Sequence, residues 1–250
     1  MSRIITITSG KGGVGKTTSA INIGAALNKF GKDVVILDAN LTTPNVSLHL
    51  GAPIVPVNLN HVMQGKAKIH EAIYEHESGT KIVPSSLSVR ELKNIDNNRL
   101  RSIGKKLRKI ADYVIYDSAA GLGDEAMIAI ECADEIVIVT NPEIPSVADA
   151  LKTMKVAEQM GKDILGVVVT RVKGTKSEMP LENIEDMLEL PILGVVPEDE
   201  NVQEALVMKD AVLHTHPKSK ASRAYRQIAA KIAGINYKEK LSFWERLVNW

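Results

Sequence analysis

The stretch RIITITSGKGGVGKTTSAINIGAAL, residues 3–27, decides the fold because three kinds of local structure follow one another in it. Residues 4–8 form an apolar run that is typical of a buried strand. Four glycines follow within residues 9–15, and a helical pattern begins at Lys16. A buried strand that passes through a glycine-rich turn into a helix is the first half of a βαβ unit.

The rest of the chain repeats this alternation of short apolar runs and longer amphipathic segments. The predicted strands cover residues 4–8, 34–38, 81–84, 113–117, 135–140, 164–170 and 192–196. The predicted helices cover residues 16–30, 58–75 with a break at Gly65, 96–110, 146–160, 180–189 and 218–233. This spacing predicts an α/β fold with a mainly parallel twisted sheet and helices on both faces. We expect one domain over residues 1–236 and a separate C-terminal tail, residues 237–250.

Composition excludes several classes of protein. A chain of 250 residues with 44% apolar and 24% charged residues is ordinary for a soluble domain, and the net charge of +1 argues against binding nucleic acid by bulk charge. The single cysteine, Cys132, rules out an internal disulfide framework and cannot build a cysteine-based metal site alone. The N-terminus lacks a secretory leader pattern, and no apolar run approaches about 18 residues. We therefore expect a cytoplasmic protein.

Residues 10–17, GKGGVGKT, match the phosphate-binding pattern G-x-x-x-x-G-K-[ST]. Glycines let backbone N–H groups curl around phosphate oxygens, and the helix N-terminus favours an anion. We expect Lys16 to reach the β- and γ-phosphates and the Thr17 hydroxyl to ligate Mg²⁺. The predicted phosphate-binding residues are Gly10, Lys11, Gly12, Gly13, Val14, Gly15, Lys16, Thr17 and Thr18.

Lys11 is not required by that general pattern, but the loop K-G-G-x-G-K-T resembles that of the deviant Walker A ATPases, the MinD/ParA family. In that family the first lysine crosses into the partner subunit and contacts its nucleotide. The resemblance therefore implies ATP and Mg²⁺ as cofactors and an ATP-dependent homodimer. It also implies that Lys11 offsets charge on the transferring phosphoryl group.

The two switch segments of this family are also matched, with one departure. Asp117 ends the strand in YVIYDSAAGL, and Asp38 opens DANLTTPN, where Asn45 also fits. The resemblance implies that Thr17, Asp38 and Asp117 form the Mg²⁺ site. The second acidic position of the first switch is Asn40, and asparagine orients a water without acting as a useful general base. We therefore expect slow ATP hydrolysis.

Three later segments extend the resemblance. TNPEIPSVADALK, residues 140–152, resembles the MinD branch. VVVTRV, residues 167–172, and GVVPED, residues 194–199, resemble segments that lie near the adenine in this family. The implied adenine-site residues are Thr170, Arg171, Pro197 and Asp199.

The C-terminal segment KEKLSFWERLVNW, residues 238–250, holds both tryptophans and one of the two phenylalanines. On a helical wheel its apolar half contains Leu241, Phe243, Trp244, Leu247, Val248 and Trp250. Such a segment packs on its own domain, fills a partner's groove or lies in a membrane interface. The resemblance implies the third option, because MinD proteins end in a membrane-targeting helix. We expect peripheral, reversible membrane association.

Two alternatives remain open. A ParA-type partition ATPase would bind DNA through basic segments such as residues 99–113 or 218–231, with strong salt dependence. An iron–sulfur carrier of the Mrp kind would need paired cysteines, which this chain lacks. We expect a membrane-associated spatial regulator with an unidentified protein partner and no nucleic acid. The sequence does not indicate whether the machinery it places serves division, motility or chemosensing.

Overall fold

The computed structural model describes residues 2–52, 54–92, 95–96 and 98–239. These residues form an eight-stranded sheet in the order β3-β4-β2-β5-β1-β6-β7-β8. The strands are β1 (Arg3–Ser9), β2 (Val34–Asp38), β3 (Tyr74–Glu75), β4 (Lys81–Val83), β5 (Tyr113–Ala120), β6 (Glu135–Thr140), β7 (Asp163–Val172) and β8 (Ile192–Pro197). Only the edge pair β3–β4 is antiparallel, so the predicted mainly parallel sheet is confirmed.

Helices cover both faces of the sheet. They are α1 (Lys16–Lys29), α2 (Val46–His49), α3 (Leu59–Met63), α4 (Arg99–Leu107), α5 (Asp124–Cys132), α6 (Ile144–Gln159), α7 (Leu181–Leu188), α8 (Glu200–Val207), α9 (Val212–Thr215) and α10 (Lys220–Ala233). Side chains alternate across each strand, so Ile5 and Ile7 pack with α1 and α10 while Ile4 packs with α3 and α4. No helix among the described residues is long and apolar enough to cross a membrane.

The predicted helix over residues 58–75 is wrong in part. Helix α3 ends at Met63, a 3₁₀ turn covers Ile69–Ala72, and β3 follows at Tyr74. Gly65 has a φ of +78°, a left-handed backbone conformation that residues other than glycine rarely adopt. The helix therefore ends just before the break that the sequence predicted at Gly65. Helices α2, α5, α8 and α9 were not predicted. In α5 the helical pattern DEAMIAIEC runs almost directly into the apolar strand β6, which hides the change of period.

The basic segment that was considered for DNA binding forms α4 and lies on the sheet. Its apolar residues Leu100, Ile103 and Leu107 are buried, as an amphipathic surface helix requires. Three of its cations have acidic neighbours. Arg99 pairs with Asp96 at 3.5 Å, Arg101 with Glu131 at 2.5 Å, and the C-cap residue Arg108 with Asp134 at 2.5 Å. These pairs reduce the positive charge that the segment presents.

The described chain beyond α10 packs back on the domain. The Tyr237 ring meets Phe30 edge-on, with 5.2 Å between centroids. Arg226 on α10 pairs with Glu239 at 2.5 Å, and both side chains are largely buried. The chain is therefore fixed to the domain as far as Glu239. The predicted membrane residues, Leu241 to Trp250, lie outside the described residues.

Candidate functional site

The predicted phosphate loop connects β1 to α1 at the carboxyl edge of the parallel strands. Gly13 and Gly15 have positive φ angles of 77° and 91°, which explains why glycine occupies both positions. A Cβ at Gly10 would lie within 3.0 Å of the backbone of Asp149 on α6. Gly15 is the N-cap of α1 and offers no side chain to cap it, so the first N–H groups of the helix remain available to an anion.

A cavity of about 340 Å³ lies over this loop. Its lining residues are Gly12, Gly13, Gly15, Lys16, Thr17, Thr18, Asn40, Thr43, Asn45, His49, Ala120 and Arg171. Lys16 is only 9% exposed, and burial lowers its pKa while the nearby Asp117 carboxylate acts in the opposite direction. A buried cation at the start of a helix, facing a cavity lined with glycine, is well suited to holding phosphate oxygens.

Two buried carboxylates stand beside this cavity because β2 and β5 are neighbours in parallel register. Asp38 and Asp117 are register partners, and both side chains are at most 1% exposed. Burial and the Asp117 charge raise the pKa of Asp38 well above its usual range, although N–H donors act against this. Burial raises the pKa of Asp117 to about 6, even though the Thr17 hydroxyl and Lys16 lower it. Ionising both buried carboxyl groups is unfavourable, and a cation bound beside them would stabilise their ionised forms.

The residues present fit Mg²⁺. The Thr17 hydroxyl donates to Asp117 Oδ2 at 2.6 Å, so two predicted ligands already touch. Asp117 Oδ1 is buried and has no hydrogen-bond partner within the described structure, leaving a lone-pair site for a metal-bound water. The described residues contain no group of three or more His, Cys, Asp or Glu side chains that could hold a metal alone. Mg²⁺ here would therefore take oxygens from water and phosphate as well, as is usual for this ion.

Asp38 also shapes the loop that follows β2. Its carboxylate accepts N–H bonds from Asn40, Asn45 and Val46 at 3.2, 2.9 and 3.0 Å. The side-chain oxygen of Asn40 in turn accepts from the Thr43 N–H and hydroxyl at 3.2 and 3.0 Å. The Asn40 amide therefore lies at the wall of the phosphate cavity with its oxygen already engaged.

Lys11 is placed differently from Lys16. Its side chain is 47% exposed, and it pairs with Glu143, the N-cap of α6, across 3.6 Å. Lys11 is not among the residues that line the phosphate cavity of its own chain. The two lysines of the loop therefore have separate surroundings.

A second cavity, of about 160 Å³, adjoins the first and brings together all four predicted adenine-site residues. Pro197 lines it beside Glu198. Arg171 has a φ of +56°, an uncommon backbone conformation for arginine, and its side chain borders both cavities. Thr170 is buried, and its hydroxyl donates to the Val14 carbonyl at 2.6 Å.

The carboxylate of Asp199 already has partners in the protein. It accepts the N–H of Asn201 at the start of α8 and the N–H of Ala221 at the start of α10. Burial opposes ionisation there, but these donors lower the pKa of Asp199 overall. Asp199 therefore fixes the wall of the second cavity by capping α8 and by accepting an N–H group from the first turn of α10.

Several lining residues were not predicted from the sequence. Thr43, His49 and Ala120 border the phosphate cavity, and Gln203 and Tyr225 border the second one. Thr43, His49 and Ala120 lie within a few residues of the matched switch residues. That proximity in sequence was the only indication that they border the site. Gln203 and Tyr225 reach the site through the packing of α8 and α10, which no local motif records.

The model of the CobQ/CobB/MinD/ParA nucleotide-binding domain matches residues 5–212. An uncharacterised ATP-binding protein of Methanocaldococcus jannaschii is 40% identical over 241 residues, which span 96% of this chain and 91% of that protein. The septum site-determining protein MinD of Neisseria meningitidis is 33% identical over 99% of both chains.

Solved structures of MinD proteins have the same fold as this chain. The septum site-determining protein MinD of Pyrococcus horikoshii, complexed with Mg-ADP, is 34% identical and superimposes with a TM-score of 0.90 over 96% of this chain and 100% of that one. MinD in the MinC:MinD cell division complex of Aquifex aeolicus is 29% identical, with a TM-score of 0.85 over 96% and 99% of the two chains. Site geometry, family match and neighbouring structures together show that this chain belongs to the CobQ/CobB/MinD/ParA nucleotide-binding family, as a MinD-like P-loop ATPase that takes ATP and Mg²⁺.

Proposed function

We propose that this protein is an ATP-dependent dimerisation switch that binds the membrane surface and positions other cellular machinery. The observation that carries the proposal is the placement of Lys11, which is exposed at the loop and does not line its own phosphate cavity. A cation that lies outside its own phosphate cavity is available to the phosphates of a second copy. Its ion pair with Glu143 is exposed, and such pairs contribute about 0–1 kcal/mol, so little holds Lys11 back.

Each subunit would then complete the other's site. Lys16 and the N–H groups of the loop hold the phosphates from one side, and the partner's Lys11 offsets charge that develops on the γ-phosphoryl group. Mg²⁺, when bound, neutralises phosphate charge. Because the Asn40 oxygen is engaged by Thr43, the Asn40 NH₂ group orients the attacking water by hydrogen bonding but takes no proton from it. General bases contribute about 10²–10⁴-fold, so we expect slow turnover and a long-lived ATP state.

The membrane part of the proposal rests on the sequence of residues 240–250 and on the similarity to MinD proteins. One amphipathic segment of this size binds a lipid surface reversibly. Two such segments in an ATP-bound dimer share an effective concentration, and avidity adds about 10²–10⁴-fold. ATP would therefore recruit the protein from the cytoplasm to the membrane, and hydrolysis would release it.

A protein partner completes the proposal, and its support is the similarity to MinD in the MinC:MinD complex.

Co-sedimentation with lipid vesicles tests the proposal. Full-length protein is compared with a 1–239 truncation, which keeps the Arg226–Glu239 pair, and with Lys11→Ala, each with ATP and with ADP. We expect only the full-length parent with ATP to pellet with the vesicles, and gel filtration should show it as a dimer. Binding by the ADP-bound monomer as tight as by the ATP form would remove the switch. Binding by the truncation would remove the tail as the anchor.

A further inference from the structure

We propose that Thr170 is a positioning residue for the phosphate loop, and that it acts together with Asn141 through hydrogen bonds rather than through contact with the base. The inference rests on the ATP site alone, so it is independent of dimerisation and of membrane binding. Thr170 lies on β7 and Asn141 directly after β6, on neighbouring strands. Both are largely buried, with exposed fractions of 4% and 8%.

The Thr170 hydroxyl both donates and accepts a hydrogen bond within the protein. It donates to the Val14 carbonyl at 2.6 Å, and it accepts from the Asn141 side-chain amide at 2.9 Å. The same amide also donates to the Thr170 carbonyl at 3.1 Å, which fixes the direction of the Asn141 side chain. The hydroxyl lies 3.2 Å from the Thr140 carbonyl as well, but its single proton favours the shorter bond to Val14. Asn141 therefore orients the hydroxyl toward the loop.

This bond acts on the phosphate site through the peptide that joins Val14 to Gly15. The peptide unit is planar and trans, so its C=O and N–H point in opposite directions. Holding the Val14 carbonyl toward Thr170 therefore turns the Gly15 N–H away from it. Gly15 has a φ of +91°, lines the phosphate cavity and is the N-cap of α1, so its orientation affects the N–H groups that receive phosphate.

Val14 itself supports this reading, since it is only 2% exposed and packs in the core on the α1 side of the sheet. Its carbonyl cannot turn to water if the threonine hydroxyl is removed. The loop must then either keep a buried unpaired carbonyl or rotate the Val14–Gly15 peptide, and both outcomes oppose phosphate binding.

The test separates a phosphate role from a base role by using probes with and without adenine. Thr170→Val removes the hydroxyl at nearly constant shape, and Thr170→Ser restores it. Magnesium tripolyphosphate, ATP and GTP are titrated against each variant by competition with a fluorescent nucleotide. Thr6→Val is the matched control, because that buried hydroxyl also donates to a backbone carbonyl, 2.8 Å away on α5.

We expect Thr170→Val to weaken tripolyphosphate, ATP and GTP by a similar factor of about tenfold, the equivalent of about 1.4 kcal/mol, with recovery in Thr170→Ser. Thr6→Val should lower the melting temperature without changing any of the three affinities. Asn141→Ala should weaken the same three affinities by a smaller factor than Thr170→Val does. The loss of binding free energy in the double variant should be smaller than the sum of the two single losses. Asn141→Ala also carries the test if Thr170→Val does not fold. Weakening confined to ATP would overturn the proposal in favour of a base contact, and unchanged affinity for tripolyphosphate would overturn it outright.

Discussion

Replacing Asp117 with asparagine should stabilise the nucleotide-free protein while abolishing its response to Mg²⁺. Asp117 is 1% exposed and lies in register with the equally buried Asp38. Its pKa is raised from 3.8 to about 6, so the folded protein binds this proton more tightly than the unfolded chain does. The free energy of unfolding therefore falls as the pH rises from about 4 to about 6, and it stays low above that range.

The size of the effect follows from the same shift. Moving a pKa from 3.8 to about 6 corresponds to about 3 kcal/mol, which the ionised site loses at neutral pH. An asparagine oxygen still accepts the Thr17 hydroxyl, but the new NH₂ group enters a buried position and offsets part of the gain. We expect a net stabilisation of about 2 kcal/mol at pH 7.5. For a chain of this length that raises the melting temperature by about 4–8 °C.

The assay is denaturant unfolding of the parent and Asp117→Asn, followed by circular dichroism at pH 7.5 and at pH 4, without nucleotide or metal. The stability advantage of the variant should shrink by about 2 kcal/mol at pH 4, where the carboxyl is protonated in the folded parent but roughly half ionised in the unfolded chain. Asp163→Asn, at an exposed carboxylate that begins β7, is the control and should change neither value. A variant less stable than the parent by the same amount at both pH values would refute the reasoning. With ATP present, added Mg²⁺ should stabilise the parent and not the variant.

Three further changes give measurable outcomes. Gly10→Ala should lower the melting temperature and the affinity for ATP, because its Cβ meets backbone in α6, whereas a Cβ at Gly12 has nothing within 4 Å, so Gly12→Ala should leave the melting temperature unchanged. Asn40→Asp should hydrolyse ATP at least about tenfold faster in a phosphate-release assay, because it supplies a general base, and equal turnover would deny this position a rate-limiting role. Glu239→Gln should cost about 1–3 kcal/mol in denaturant unfolding because its guanidinium partner on α10 is buried, whereas Glu158→Gln, in an exposed pair, should cost less than about 1 kcal/mol.

The parts of the site that the sequence predicted are those in which a local pattern carries the chemistry. The phosphate loop follows an apolar strand and opens a helix, and Asp38 and Asp117 each lie at or near the carboxyl end of such a strand. Because these strands are parallel, their carboxyl ends meet at one edge of the sheet. The loop after β1 and the aspartates of β2 and β5 could therefore each be recognised locally, and the parallel sheet brings all three to one edge.

The parts that were missed depend on packing between distant elements. Tyr225 borders the second cavity only because α10 packs against α1 and β8. The positive φ of Arg171 leaves no trace in the sequence, since it arises where the pairing of β7 with β8 is interrupted. The role of Thr170 is hidden for the same reason: its partner Val14 is 156 residues away along the chain.

The two buried acids connect the charge state of the site to the loop that follows β2. Burial and the charge of Asp117 raise the pKa of Asp38, and the Asp38 carboxylate accepts three N–H groups of the loop that carries Asn40. A protonated carboxyl accepts these bonds more weakly than an ionised one. A cation beside the pair favours the ionised form of both acids and so strengthens the bonds to the loop. If Mg²⁺ binds beside this pair, we expect it to stabilise the loop that carries Asn40 through the N–H bonds that Asp38 accepts.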